Sequence, residues 1–313
     1  MTSRKESQLA STVLMIRPVR FHSNPLTAAS NRFQGRTTLT GDEQQQAALN
    51  EFNDLAAALQ RAGIEVIVID DTEEPPTPDA IFPNNWISLH ADGTVVLYPM
   101  EALNRRTERR QDIVDALAST HGFSVRRVID LSHHENEGHY LEGTGSMVLD
   151  RVNRVAYACL SSRTHLGALG DFAQQLDYDL VAFDAVDRNG APIYHTNVLM
   201  NIGEEVTVIC LAAIASEEQR VAVQRSLSGS GHKVIGLSYD QLDAFAGNML
   251  ELRSRNGDRV LAMSEQARNS LTAEQLAVIE AGATIVSAPI DRIEASAGGS
   301  VRCMLAEVHL PRV

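Results

Sequence analysis

Apolar and polar positions along the chain repeat one grammar. A short polar or Gly/Asn-bearing lead-in gives way to an apolar run of strand length, a tight turn, a second such run, an amphipathic stretch of helical period and a third apolar run. The first full copy leads in at Asn84-Asn85, continues as WISLH, turns at Asp92-Gly93 and returns as TVVLYPM. Asp-Gly between two apolar runs signals a hairpin. A helix over about 104–120 and the strand SVRRVIDL complete this copy. The second leads in at Gly143-Thr144-Gly145, runs SMVLD, turns at 151–153, returns as RVAYACL, and adds a helix near 163–176 and the strand DLVAFDAV.

The third copy leads in at His195-Thr196-Asn197 and pairs VLMNI with VTVICLAAI across Gly203-Glu204-Glu205. Its helix starts at Ser216 with Gln219 three residues on, a capping-box pattern, and HKVIGLSY closes it. The fourth leads in at Gly247-Asn248, pairs MLELRS with RVLAMS across Asn256-Gly257-Asp258, has a cap-like Thr272 to Gln275, and ends in ATIVSAPI. The fifth is cut open. Its lead-in, Ser296 to Ser300, and the apolar strand on whose opening Cys303 is expected lie at the C-terminal end, while TVLMIRP, a helix over about 42–62 and IEVIVID lie near the N-terminus.

Lead-in positions 85, 145, 197, 248 and 300 are 60, 52, 51 and 52 residues apart, a period that two separate domains would not produce. A last unit that borrows its second strand from the start of the chain closes the array into a ring and removes two sheet edges. All five lead-ins then lie at one end of their units and converge on one site. The expectation is a single catalytic α/β domain over 1–313, with residues 1–11 loosely ordered.

Composition narrows the partners. With 27 Lys and Arg against 40 Asp and Glu, the net charge of −13 argues against nucleic acid or an anionic membrane. No run approaches the roughly 18 apolar residues of a membrane span, and the first twenty residues hold too short an apolar run for a signal peptide. Three widely spaced cysteines without a CxxC fit a reducing, cytoplasmic compartment. Cys159 and Cys210, inside apolar runs, read as packing residues. A homodimer is expected.

The converging lead-ins bring a distinctive set of groups: Asn84, Asn85, Glu142, His195, Asn248 and Cys303. A thiol, an imidazole and a carboxylate from three separate units make a nucleophile, a proton shuttle and a charge partner. Each alone has a plainer reading as a core or turn residue; coincidence at equivalent repeat positions is the weaker explanation.

Taken together, FPNNW, EGTGSM, HTNVLMN and GGSVRCM resemble the guanidino-group modifying enzymes: arginine deiminases, dimethylarginine hydrolases and amidinotransferases. The nearest resemblance is to the amidinotransferase-like, citrulline-utilisation hydrolase branch. It implies the pentein fold, a five-bladed pseudo-symmetric α/β propeller of ββαβ repeats closed by pairing of N- and C-terminal strands. It also implies Cys303 as nucleophile, His195 as general acid/base and Glu142 as the carboxylate gripping the reacting group, with no metal and no cofactor. Where arginine-processing members commonly carry Asp, this chain has Asn85 and Asn197. Amides carry no net charge and offer both a donor and an acceptor, which favours a neutral ureido group; Asp79 restores one carboxylate. The implied activity is hydrolysis of a ureido or guanidino C–N bond of an arginine-like amino acid, with citrulline leading and yielding ornithine, ammonia and CO2. The alternatives are an amidinotransferase or an arginine-type deiminase. Asn84, Asn85, Asn197 and Asp79 are assigned to substrate, and Arg105 and Arg163 to its α-carboxylate, because arginine suits bidentate carboxylate recognition.

Two rivals remain. Residues 133–139 place three histidines and two glutamates just ahead of Glu142, enough in kind for a divalent ion, although the loop-like stretch lacks the HExxH register and reads better as a lid or rim. A propeller that only binds a partner would have no use for the thiol, imidazole and carboxylate together.

Overall fold

The computed structural model describes residues 6–35 and 40–313. The first five residues of the expected loose terminus, and residues 36–39, lie outside that range. The strands run in chain order β1 (Thr12–Arg17), β2 (Glu65–Asp70), β3 (Ile87–Leu89), β4 (Thr94–Leu97), β5 (Arg127–Asp130), β6 (Val148–Asp150), β7 (Val155–Cys159) and β8 (Asp179–Phe183). They continue as β9 (Met200–Ile202), β10 (Val206–Ile209), β11 (Lys233–Gly236), β12 (Leu250–Arg253), β13 (Arg259–Ser264), β14 (Thr284–Ala288) and β15 (Ala306–Glu307). They form five three-stranded sheets, each with its middle strand antiparallel to one neighbour and parallel to the other. The cut unit is rejoined as expected: β15 pairs antiparallel with β1 in the register Val13↔Glu307, and β2 lies parallel on the other side.

The local chemistry follows the sequence closely. Gly93 and Gly257 turn their hairpins at φ +89° and +91°, a region that side-chain-bearing residues avoid. The helix Gly41–Arg61 opens with a full capping box between Thr40 and Glu43 and buries Ala48, Phe52, Leu55, Ala56 and Leu59 along one stripe. At Ser216 only half of the expected box forms. Its hydroxyl accepts from the Gln219 N–H, but the Gln219 side chain is drawn across to Asp184. No helix of the described residues is long and apolar enough to cross a membrane.

Three expectations need correction. The lead-ins do not run straight into strands: residues Pro83–Asn85, Gly143–Ser146, Thr196–Leu199 and Val301–Met304 each make a single helical turn first. Cys303 therefore sits on a turn ahead of β15, not on the strand. The expected helix over 104–120 is broken into a 3₁₀ segment, Leu103–Glu108, and the helix Gln111–Ser119, because Arg105 turns inward and is held by Glu108. Residues 6–10 are anchored, not loose. Glu6 ion-pairs with Arg151 and Arg154 at 2.9 Å each, and Gln8 donates to the carbonyls of Leu149 and Ile202. These polar side chains satisfy buried groups that would otherwise lack partners.

The helical turns are what position the site. The Gly143–Ser146 turn packs against both Pro83–Asn85 and Thr196–Leu199, and Pro83–Asn85 packs against Val301–Met304. Segments more than two hundred residues apart thus meet as neighbours.

Candidate active site

Cys303 is buried, and its sulfur faces two amide donors: Asn248 Nδ2 at 3.3 Å and Asn197 Nδ2 at 3.4 Å. Asn248 Nδ2 also donates to the Asn197 carbonyl, which fixes which end of its amide points at sulfur. Gly298 shows why small residues precede the thiol. At φ +65°, a methyl there would stand 2.5 Å from the Gln34 nitrogen, so only glycine lets the 31–34 loop close on this turn.

Cys303 and His195 line one cavity, together with Asp79, Asn85, Arg105 and Arg163. Thr27, Asn31 and Tyr194 also line it. None of these three stood out in the sequence, because an irregular loop and a single tyrosine carry no periodicity. The 20–35 stretch lies against the pocket, tied down by Asn24 to Asp79, Asn31 to the Ala297 carbonyl and Arg163 to the Thr27 carbonyl. Asn84 is placed elsewhere. Its side chain is buried with neither end partnered among the described residues, and it does not line the cavity.

Glu142 and Asn197 stand one layer behind. His195 Nε2 lies 2.9 Å from Glu142 Oε2. Burial pushes the Glu142 carboxyl up, but the Arg163 guanidinium, the His195 hydrogen bond and Arg105 outweigh it and hold the group well below the usual carboxylate range. An ionised carboxylate only accepts, so His195 Nε2 donates to it. Nδ1 is then the nitrogen free to take a proton. The remaining Glu142 oxygen accepts the Glu101 N–H at 3.1 Å. Both oxygens are therefore engaged, and Glu142, expected to grip the reacting group, contacts His195 and is not among the residues lining the cavity.

Arg105 and Arg163, expected at the substrate α-carboxylate, both line the cavity and are also held by protein partners. Arg105 forks onto Glu108 at 3.0 and 2.9 Å and donates to Asn85 Oδ1 at 3.0 Å. Arg163 holds the Ser30 hydroxyl and the Thr27 carbonyl, with Glu142 at 3.4 Å. Each neutralises Glu142 in a buried setting where an unpaired carboxylate would be costly.

Besides His195 Nδ1, two fully buried polar atoms on the cavity-lining residues lack a partner among those described: Asp79 Oδ1, an acceptor, and Asn85 Nδ2, a donor. The Asn85 orientation is fixed because Arg105 can only donate to its oxygen. Residues 133–139 do not contribute. Their turn, Ser132–Glu137, lies outside the lining, with Glu135 pinned by Arg109 and the Met100 N–H.

Burial lowers the His195 pKa to about 4, with the Glu142 hydrogen bond opposing and Arg163 and Arg105 reinforcing the drop. Between about 4 and the unperturbed value of about 6.5 the unfolded chain binds the extra proton. This ring's contribution to stability is therefore complete above about 6.5 and is lost as pH falls to about 4. A histidine-ring NMR titration should place the His195 midpoint near 4; a midpoint near 6.5 would contradict the packing described here.

Gly145 carries a second expectation. A methyl there would lie 2.3 Å from Asn85 Nδ2 and 2.7 Å from His195 Nδ1. Gly145→Ala should lower kcat by about 10²-fold or more through displacement of the ring, at a stability cost of about 1–3 kcal/mol. Assay and urea titration of one preparation read both effects, and an unchanged kcat would mean the ring is not positioned by this contact.

A family model described as N,N dimethylarginine dimethylhydrolase, eukaryotic, matches residues 17–310. The chain belongs to this family. The dimethylarginine hydrolase family is one of the guanidino-group modifying enzymes that the four motifs resemble, although it is not the citrulline-utilisation branch they resemble most. Its members are cysteine hydrolases of amidino C–N bonds.

Among solved structures, apo ArgZ, an arginine dihydrolase from the ornithine-ammonia cycle in cyanobacteria, matches with TM-score 0.73 and 18% identity over 96% of this chain. The chain spans 41% of that relative's length. The N-terminal domain of an ArgZ variant, bound covalently to a reaction intermediate, matches over 98% of its length and 96% of this chain, with 19% identity and TM-score 0.73. A histidine-to-glycine variant of dimethylarginine dimethylaminohydrolase, in adduct with S-methyl-L-thiocitrulline, gives TM-score 0.65 and 13% identity over 95% of this chain and 99% of its own. At such identities these likenesses establish the α/β fold. No curated protein sequence matches the chain.

Proposed function

We propose that this chain hydrolyses the ureido or guanidino C–N bond of an arginine-like amino acid through a covalent intermediate on Cys303, with citrulline as the preferred substrate. The observation that carries this reading is the shared cavity of Cys303 and a Glu142-backed His195, held by residues from three separate repeat units. His195 Nδ1 takes the Cys303 thiol proton as the sulfur attacks the ureido carbon, and hands it to the ornithine nitrogen as the bond from that carbon to the nitrogen breaks. His195 then takes a proton from water, which adds to the S-carbamoyl carbon and regenerates the thiol. The carbamic acid released breaks down to ammonia and CO2. The Asn197 and Asn248 amides hold the sulfur in line, and no step calls for a metal or organic cofactor.

Substrate choice rests on the two partnerless atoms. A ureido group brings one acceptor and several donors, and so satisfies Asn85 Nδ2 and Asp79 Oδ1 together. A guanidinium brings donors only and leaves Asn85 Nδ2 unpaired, at a cost of about 1–3 kcal/mol. Asp79 is nonetheless a carboxylate in the pocket, and this favours arginine or a methylated arginine as the second reading. We read the five sheets as blades of a closed propeller, with 1–313 as one catalytic unit. Contacts of β3 with β15, β6 with β9, and β9 with β12 support that reading. Three free, buried cysteines fit a cytoplasmic setting.

Incubation with citrulline, arginine and dimethylarginine, with ornithine and citrulline quantified, tests the proposal. Ornithine from citrulline is expected without any added amine. Turnover of arginine or dimethylarginine but not citrulline would overturn the substrate choice, and a strict need for a second amine would make the chain a transferase.

A further inference from the structure

The imidazole-rich turn just ahead of Glu142 plays no part in this chemistry, yet its side chains are arranged. His134 Nε2 lies 3.0 Å and His133 Nε2 3.6 Å from the same Asp171 oxygen. A tetrahedral ion held by bonds of about 2.0–2.1 Å sets its donor atoms about 3.3 Å apart. Both histidine-to-carboxylate distances stand near that spacing, and the three donors lie within 4.8 Å of one another. The other His134 nitrogen, Nδ1, is buried without a partner among the described residues. It belongs to a ring that also forms an overlapping set with Glu137 and His139. The site opens to solvent through His133, whose side chain is 60% exposed, while His134 is only 13% exposed and anchors the inner side.

We infer that His133, His134 and Asp171 form a divalent metal site, separate from the catalytic cavity, that braces the segments carrying Glu142 and Arg163. Two imidazoles and one carboxylate suit zinc or a similar borderline ion, whereas magnesium and calcium favour all-oxygen sets. Water completes the coordination. The bracing follows from connectivity. The two histidines lie on the turn Ser132–Glu137, and Asp171 lies on the helix Leu166–Leu176. The chain leaving that turn and the chain approaching that helix are hydrogen-bonded to each other, His165 N to the Tyr140 carbonyl at 2.7 Å and Glu142 N to the Arg163 carbonyl at 3.3 Å. An ion joining turn to helix closes a clasp whose other side holds the two charged groups behind His195.

Zinc titration by calorimetry, with bound metal counted after gel filtration, tests the site. Cys303→Ser serves as the parent so that the active-site thiol cannot supply a ligand. One zinc per chain and a higher thermal midpoint with zinc are expected in this parent. Both should weaken by at least about 10-fold in affinity when Asp171→Asn or His134→Gln is added. No zinc binding by the parent, or binding undiminished by Asp171→Asn, would overturn the inference. Loss on His139→Ala with Asp171→Asn silent would also overturn it, by placing the ion in the neighbouring set.

Discussion

Cys303→Ser is expected to lower turnover by at least about 10³-fold while the chain stays folded. A hydroxyl is a far weaker nucleophile than a thiol toward a resonance-stabilised carbon. The two are close in size, and the amides of Asn197 and Asn248, which now face sulfur at 3.4 and 3.3 Å, can donate equally to oxygen. The loss should thus appear in kcat with little change in the urea midpoint. Retained activity would move the chemistry to another residue.

Glu142→Gln should damage both stability and activity. The carboxylate is fully buried between Arg163 at 3.4 Å, Arg105 at 3.7 Å and His195 at 2.9 Å. Removing its charge leaves two guanidinium groups facing each other across a neutral amide, an arrangement that costs about 3–5 kcal/mol when a buried pair loses one partner. Glutamine can also donate to His195 Nε2, which would put the ring proton on Nδ1 and take away the free acceptor. A fall in kcat of about 10²-fold or more is expected even in the fraction that folds. Denaturant titration and a folded-fraction-corrected assay separate the two effects. A variant that keeps its stability and its rate would mean that Glu142 neither balances the arginines nor orients the ring.

Much of the scaffold was legible because strand, turn and helix each leave a local mark. Asp92-Gly93 and Asn256-Gly257 mark hairpins, Thr40 with Glu43 and Thr272 with Gln275 mark helix starts, and the apolar runs give fourteen of the fifteen described strands their place. The split fifth unit was legible too, since a missing second strand at one end and a surplus one at the other imply the β1–β15 pairing. What escaped lacks a local mark. A single helical turn such as Thr196–Leu199 is too short to show a period. Glu6 and Gln8 look like a polar tail until Arg151 is brought beside them. Nothing local pairs Arg105 with Glu108 three residues on, yet both are buried, with Asp79, Asn85 and Glu142 around them.

The candidate site divides the same way. Residue types at equivalent repeat positions pointed to Cys303, His195 and Glu142, because five units sharing one geometry must bring their lead-ins together. Their division of labour was hidden. Whether Glu142 faces substrate or His195, and whether Arg105 and Arg163 have an open fork, depends on neighbours such as Glu101, Glu108 and Ser30 that only the folded chain supplies.

Acid quenching during steady-state turnover, followed by mass analysis of the Cys303 peptide, tests the central claim most directly. The account predicts that this peptide carries the carbamoyl or amidino group of the substrate, and that the modification disappears once substrate is exhausted. Sustained turnover with the Cys303 peptide unmodified at every time point would contradict it.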